Sequence, residues 1–578
     1  MASNNRVPLQ SFILLALAPG LAACPSDDPA PEPEVADVFA ERLGEPVPYA
    51  TAEQRETFER GHAVALQRFS PEEGLGPTMN VSFCGSCHER PVIGGSAPRY
   101  RDFYLNGTSL ADGTFIPGGK GGVLTSYGLS GADTRPALSA DANVLTHRNP
   151  IPFFGVGPIA EIDEASILAN EDPDDADGDG ISGRANYDRG FVGRFGRKAQ
   201  TVSIEGFIRG PLNNHLGITS DPLTEEQKAR LPIDSSSASV DDGFRQAAAP
   251  DEPLVDDDDV PDPELTPDEL FDLVSFSMLL APPLPDAEPS EAALRGAELF
   301  EQIDCSGCHV RGLVGPRGLV PLYSDLLLHD MGPELDDGIV QQLASGSEFR
   351  TAPLWGIVAA APYLHDGRAD TLDQAIVWHG GEAHASREAY QALSDDERGD
   401  VIAFLESLGG REQVTPGLMP PDEPIPEPGV PGAPLPLADE AQTARWLAGR
   451  ALFENDFAID RGLGPIFNGD SCRACHFDPM DDEHRTIGGS GPIDVNVMRH
   501  GTLDGDGNFS APAYGTVLHK LSVFDVPRRE QTAEHNMFES RQTPTLLGVG
   551  LLASVAADDI IALADPDDLD GDGIRGIP

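Results

Sequence analysis

Apolar residues fall at helical spacing in three stretches of the chain. In "LTPDELFDLVSFSMLLAPPLPD" a helix starts near Thr266 and is stopped by the prolines after Ala281. "SEAALRGAELFEQID" places Ser290 as an N-cap and Leu294, Ala297 and Phe300 on one apolar face. "LSDDERGDVIAFLESLGG" offers Ser394 and Glu397 as a capping box, a stripe of Val401, Ile402, Phe404 and Leu405, and Gly409 as a stop. The pattern predicts a mainly α chain with long loops.

Breaks in the pattern divide the chain. The N-terminal apolar run "FILLALAPGLAA", behind Arg6, is too short to span a bilayer and reads as an export signal; an ordinary cleaved signal peptide is the plainer alternative to a lipidated one. "VTPGLMPPDEPIPEPGVPGAPLPL" is too rich in proline for a core element and predicts a stiff linker. The expected order is a signal over 1–24, a Pro-rich acidic tether over 25–48, a first domain over 49–285, a second over 286–412, a linker over 413–438 and a last unit over 439–578.

Cysteine usage brings in chemistry. Beyond Cys24, all six cysteines lie in three copies of C-x-x-C-H: Cys84, Cys87 and His88; Cys305, Cys308 and His309; Cys472, Cys475 and His476. Two thiols at this spacing can form thioethers to the two vinyl groups of one haem, and the next imidazole then ligates the iron. Three covalent haem c groups are expected, each in a helical, cytochrome c-like setting. Zinc would want a fourth ligand at paired spacing, and disulfides would not require a histidine after every pair.

The last unit is a partial copy of the first. "EGLGPTMNVSFCGSCH" from Glu73 matches "RGLGPIFNGDSCRACH" from Arg461. "DPDDADGDGISG" from Asp172 matches "DPDDLDGDGIRG" from Asp565, so the sequence stops where the copy would go on to its distal half. For the third haem the sixth-ligand candidates are Met480, His484, His500 and His519. Asp175, Asp177 and Asp179, followed by Gly180, fit the start of an EF-hand-like calcium loop, with Asn186 where glutamate is usual; a solvated glycine-rich turn is the alternative. Asp568, Asp570 and Asp572 recur in the copy.

The order of "GLGP…CGSCH", "DGDGISGRAN", "GRFGRKAQ", "NNHLGITS", "YSDLLLHDMGPELDDG", "FRTAPLWGI", "PYLHDGRADTLDQAI" and "WHGGEAHASR" resembles the di-haem oxidoreductases of the bacterial di-haem cytochrome c peroxidase superfamily. The resemblance implies two haem domains, one haem taking electrons and the other meeting peroxide at an open position. Relatives supply a distal glutamate after a Gly-Pro pair. Here Gly210 and Pro211 are followed by His215, which stands as acid/base group, iron ligand or plain loop histidine. His379 falls where relatives place the sixth ligand of the second haem, as methionine or tyrosine; Met331, His329 and His365 compete with it. The rival to an enzyme is an electron carrier with every iron six-coordinate.

Charge limits the partners. The 39 basic residues against 95 acidic ones give a formal charge of −56, which repels nucleic acid and anionic lipid and suits a basic redox partner such as a cytochrome. "LAAC" resembles a lipobox with Cys24 as the lipidated residue, so the expected setting is periplasmic or cell-envelope, with membrane contact only through the anchor.

Overall fold

A computed structural model describes residues 33–129, 135–233, 253–256, 258–411, 413–415, 418–419, 423–437, 439–478, 486–523, 526–532 and 534–577. The helices used below are α1 (Ala52–Leu66), α2 (Ile204–Pro211), α3 (Pro267–Leu279), α4 (Glu291–Gln302), α5 (Leu372–Trp378), α6 (Asp395–Glu406) and α7 (Glu440–Glu454). The three helices expected from the apolar pattern are α3, α4 and α6. Thr266 and Ser394 close capping boxes with Glu269 and Glu397, and the Ser290 side chain accepts from the Ala293 amide at 3.1 Å. The face of α4 is turned from the expected one: Ala293, Gly296 and Phe300 are buried, and Leu294 is 56% exposed.

The expectation of a mainly α protein is overturned. Helix makes up 29% and strand 15%, the strands forming several small sheets. Most strands have only two or three residues, too few to show a two-residue period. In the first domain β1 (Phe103–Ser109) pairs antiparallel with β2 (Phe115–Pro117), β3 (Val123–Leu124) and β4 (Val144–Arg148), with Phe103 opposite Arg148. In the second, β5 (Leu328–Asp330) pairs with β6 (Glu348–Arg350). The last unit repeats the first arrangement: β7 (Val497–Leu503) pairs with β8 (Phe509–Ser510) and β9 (Met537–Arg541), Val497 lying opposite Arg541.

Two helix pairs frame the first two motifs, and both use one device. In α1 a Cβ at Gly61 would lie 2.0 Å from the Asp272 carbonyl of α3; in α4 a Cβ at Gly296 would lie 1.9 Å from the Asp400 carbonyl of α6. The preceding arginine clamps the same aspartate bidentately, Arg60 to Asp272 at 2.8 Å and Arg295 to Asp400 at 2.7 Å. One turn further on, Phe276 and Phe404 meet Phe58 and Phe300, with ring centroids 4.9 and 5.2 Å apart. In α7 the matching pair is Ala448 and Gly449, nothing lies within 4 Å of a Cβ at Gly449, and no residue of α7 is buried.

Gly61→Ala and Gly296→Ala should therefore each destabilise the fold, toward the upper end of the ~1–3 kcal/mol cost of overpacking. Gly449→Ala should instead stabilise its helix by up to ~1 kcal/mol through helix propensity. Urea denaturation of the three variants checks the contrast; equal effects at all three positions would contradict it.

The expected tether is packed from residue 33 onward. Val35 bridges to Leu319, Ala40 to Pro283 and Pro46 to Leu280, and Ala36, Val38, Leu43 and Val47 are buried. Cys24 and the apolar N-terminal run lie outside the described residues. Among the described residues no helix is long and apolar enough to cross a membrane.

Candidate haem centres

Cys305 opens a short 3-10 turn directly after α4, and the His309 amide donates to the Cys305 carbonyl at 3.0 Å. The His309 ring places Nδ1 2.9 Å from the Tyr323 carbonyl oxygen. A carbonyl only accepts, so Nδ1 carries the hydrogen and Nε2 keeps a free lone pair, the form that binds a metal. The other two motifs repeat this arrangement, with His88 Nδ1 3.1 Å from the Gly95 oxygen and His476 Nδ1 3.0 Å from the Pro544 oxygen. Burial pushes His88 and His309 down to about 4, so both are neutral ligands at physiological pH.

The six motif cysteines are unpaired. Burial raises Cys84 to about 11 and Cys87 and Cys305 to about 12, which keeps them as thiols. A cavity of about 310 Å³ joins Cys305, Cys308 and His309 to His379, lined also by apolar side chains such as Phe349, Leu354 and Trp355 and by several arginines and histidines. These residues fit a covalent haem: two thiols and a proximal imidazole on one wall and a second imidazole on the same cavity.

His379 caps the C-terminus of α5, and its Nδ1 lies 2.8 Å from the Ala375 oxygen, so its Nε2 is also free to bind iron. It lies near enough to His309 to help depress that ring's pKa. One competitor is otherwise engaged. His329 bonds Asp325 through Nε2 (2.9 Å) and Glu382 through Nδ1 (2.8 Å), which leaves no lone pair. His365 is stacked on Phe349 at 4.3 Å, with its buried Nε2 lacking a hydrogen-bond partner. Met331 and His365 both line the cavity and are the remaining alternatives.

The His329 pair of ion contacts has a measurable consequence. Burial opposes the charge, but hydrogen bonds to Asp325, Cys308 and Glu382 outweigh it and push His329 up to about 12. A raised folded-state value means that its stabilisation is complete below the unfolded pKa near 6.5 and fades as pH rises toward 12. His329→Ala should cost about 3–5 kcal/mol at pH 6, because it strands buried Asp325 and Glu382, with a smaller loss at pH 9. Thermal denaturation at the two pH values reads the difference.

Around the first motif, His215 sits in a π-helical turn, Leu212–Leu216, directly after α2. Its carbonyl accepts from the Asn80 amide at 2.7 Å, tying it to the segment that leads into Cys84. The ring packs edge-on against Phe103 at 4.4 Å, and the Asn80 side-chain nitrogen lies 3.2 Å from Nδ1. An amide nitrogen donates, so Nδ1 accepts and Nε2 carries the hydrogen, the reverse of His379. Burial, with a contribution from His88, lowers His215 to about 4.

The third motif packs against the first. Asp494 accepts from Ser86 Oγ at 2.5 Å and from the Ser82 amide at 3.2 Å, and pairs with Arg101 at 3.3 Å, all of these residues being buried. Lys520 donates to the Tyr100 carbonyl at 3.1 Å. Cys87 and Cys475 both feel the charges of Arg101 and Lys520. Sequence reasoning missed this layer, since its partners lie some 400 residues apart. Of the sixth-ligand candidates, Met480 and His484 lie outside the described residues. His500 packs on Tyr514 and His535 (5.6 and 4.7 Å), whereas the His476 ring faces Phe453 at 6.4 Å.

The acidic loops repeat bond for bond. Gly180, Asp179 and Ile181 amides are capped by Asp175, Asp177 and Asp179, as Gly573, Asp572 and Ile574 are by Asp568, Asp570 and Asp572. Ligand oxygens of Asp175, Asp177 and Asp179 lie within 4.8 Å of one another, in a mostly exposed loop.

Residues 128–408 match the family model described as di-haem oxidoreductase, putative peroxidase. This segment belongs to the di-haem oxidoreductase family. The family implies haem c as cofactor, and its matched region holds Cys305–His309, His215 and His379. A curated relative, the cytochrome c551 peroxidase of Pseudomonas aeruginosa, is 28% identical over 156 residues, 26% of this chain and 40% of the relative. Cytochrome c peroxidase Ccp of Escherichia coli is 24% identical over 123 residues, 20% of this chain and 25% of the relative. The matches thus span less than half the length of these relatives. Among solved structures, the diheme peroxidase BthA of Burkholderia thailandensis aligns with TM-score 0.31 and 16% identity, covering 67% of this chain and 97% of that one. A MauG-like protein associated with microbial copper homeostasis aligns with TM-score 0.29 and 17% identity, covering 64% and 93%.

Proposed function

We propose that this di-haem oxidoreductase reduces hydrogen peroxide, or uses it to oxidise another molecule, at the haem held by Cys84, Cys87 and His88. The reaction consumes one peroxide, two electrons and two protons and yields two waters; the electrons come from a redox protein outside the chain. The observation that carries the reading is the contrast between His379 and His215. His379 offers a bare Nε2 to the second haem, whereas His215, beside the first motif, presents Nε2–H. The haem, when bound, supplies the redox chemistry. His379 would close one iron, and His215 would leave the other open and hold the peroxide by a hydrogen bond from Nε2–H, the protons that complete the waters coming from solvent.

Three haems belong to the same proposal, as the three proximal histidines share one geometry. A pyridine haemochrome assay should give three haems per chain, and two in a Cys472→Ala, Cys475→Ala variant. Two in the wild type would remove the third site. Calcium at Asp175, Asp177 and Asp179 has less support, since their carboxylates already cap the loop's own amides. The setting proposed is extracytoplasmic, with Cys24 as a lipid anchor and a basic cytochrome as the partner suited to a charge of −56. The rival reading is a carrier with every iron six-coordinate. Peroxide turnover with a reduced cytochrome as donor separates the two: sustained consumption supports the enzyme, and none with a fully loaded protein supports the carrier.

A further inference from the structure

Two half-buried arginines on the cavity of the second motif form no ion pair among the described residues. Arg197 comes from the "GRFGRKAQ" segment of the first domain and Arg350 from the end of β6, and both line the cavity shared by Cys305, Cys308, His309 and His379. Arg197 donates to the Asn149 carbonyl at 3.2 Å, and its Nε is buried without a partner. Arg350 donates only to the Gly196 and Thr351 carbonyls, both at 3.0 Å. Neither forms an ion pair among the described residues.

Most carboxylates nearby are committed elsewhere; Asp102, which also acts on Arg197, accepts from Asn149 through Oδ1 and leaves a buried Oδ2 without a partner. Asp337 pairs with Arg148 and Lys198, Asp366 with Arg368, and Asp325 with His329. Burial lowers Arg197 to about 9 and Arg350 to about 10, and the two charges oppose each other at Arg197. An unpaired buried cation is costly, and arginine avoids that cost by meeting a carboxylate. Arg194 also lines the cavity, but its Nη1 donates to three carbonyls at the end of the short helix Val156–Ala160, which accounts for its position.

We propose that Arg197 and Arg350 form a clamp for the two propionate carboxylates of the haem carried by Cys305 and Cys308. Two cations without partners match two carboxylates, which the occupant of the cavity brings with it. His365, whose buried Nε2 lacks a partner on the same cavity, is placed to donate to one of them. The clamp also ties the first domain to the second through the cofactor, Arg197 from one side and Arg350 from the other. This inference rests on haem being held at the second motif.

The test uses the full-length holoprotein, in which thioethers retain the haem when the clamp is cut. Arg197→Gln, Arg350→Gln and the charge-keeping Arg350→Lys are compared by haem count, spectroelectrochemical titration and propionate bands in resonance Raman spectra. Removing a positive charge favours the ferric state, so each Gln variant should lower the midpoint potential of one haem only and shift its propionate bands. Arg350→Lys should restore most of the potential. In the wild type that potential should stay flat with pH where a free propionate would titrate, and acquire a slope in the variants. Full haem count with unmoved potential and bands would overturn the clamp and leave the haem assignment standing. A wild type whose second motif carries no haem would overturn the haem reading and the clamp with it. If the Gln variants do not fold, a wild-type potential that slopes with pH across the range of a free carboxyl would itself overturn the clamp, and a flat one would uphold it.

Discussion

His379→Ala should give a high-spin signal from one haem, and His379→Met should raise that haem's potential. The His379 ring is oriented by the Ala375 carbonyl at the end of α5, so its Nε2 is presented to the cavity without rearrangement. Alanine removes the ligand and leaves the iron with His309 alone. Methionine is a poorer donor to ferric iron than imidazole, so the potential should move upward by a sizeable part of the roughly 0.8 V that axial ligands span. Optical spectra and redox titration of both variants check this. Unchanged low-spin spectra and potential would transfer the role to Met331 or His365, the cavity-lining candidates that, unlike His329, are not held by ion pairs through both ring nitrogens.

His215→Ala should lower peroxide turnover by about 10²–10³-fold, the range for losing one preorganised hydrogen-bond donor, with haem content unchanged. His215→Gln keeps an N–H donor and should recover part of the loss. Asn80→Asp tests the tautomer: a carboxylate accepts, so Nδ1 would take the hydrogen and Nε2 would gain a lone pair aimed at the iron. That variant should turn the first haem low-spin and abolish turnover. Stopped-flow kinetics with optical spectra follow all three. Full activity in His215→Ala would assign the hold on peroxide to another group.

Much of the site was legible in the sequence, because covalent haem attachment demands its residues within five consecutive positions. Helices α3, α4 and α6 were legible through their caps, since Thr266, Ser290 and Ser394 act on amides three residues away. Features that depend on distant pairs were not. The short strands escaped for want of a period, which is why a mainly α fold was expected. The polar layer between the first and third motifs joins Ser82 and Ser86 to Asp494 across more than 400 residues. The Arg-Gly step of α1 and α4 was visible as "RG" in each helix, but its meaning appears only when Asp272 and Asp400 are seen opposite. The same step reads Ala448-Gly449 in α7, where, among the described residues, nothing lies within 4 Å of a Cβ at Gly449.

The central claim is that the irons are inequivalent, the second closed by His379 and the first open beside His215. Electron paramagnetic resonance of the loaded wild type, oxidised and then half-reduced, tests it most directly. The account predicts a high-spin ferric component equal to one haem, which peroxide removes, beside low-spin signal from the iron that His379 closes. A spectrum that is entirely low-spin in both states and indifferent to peroxide would contradict it.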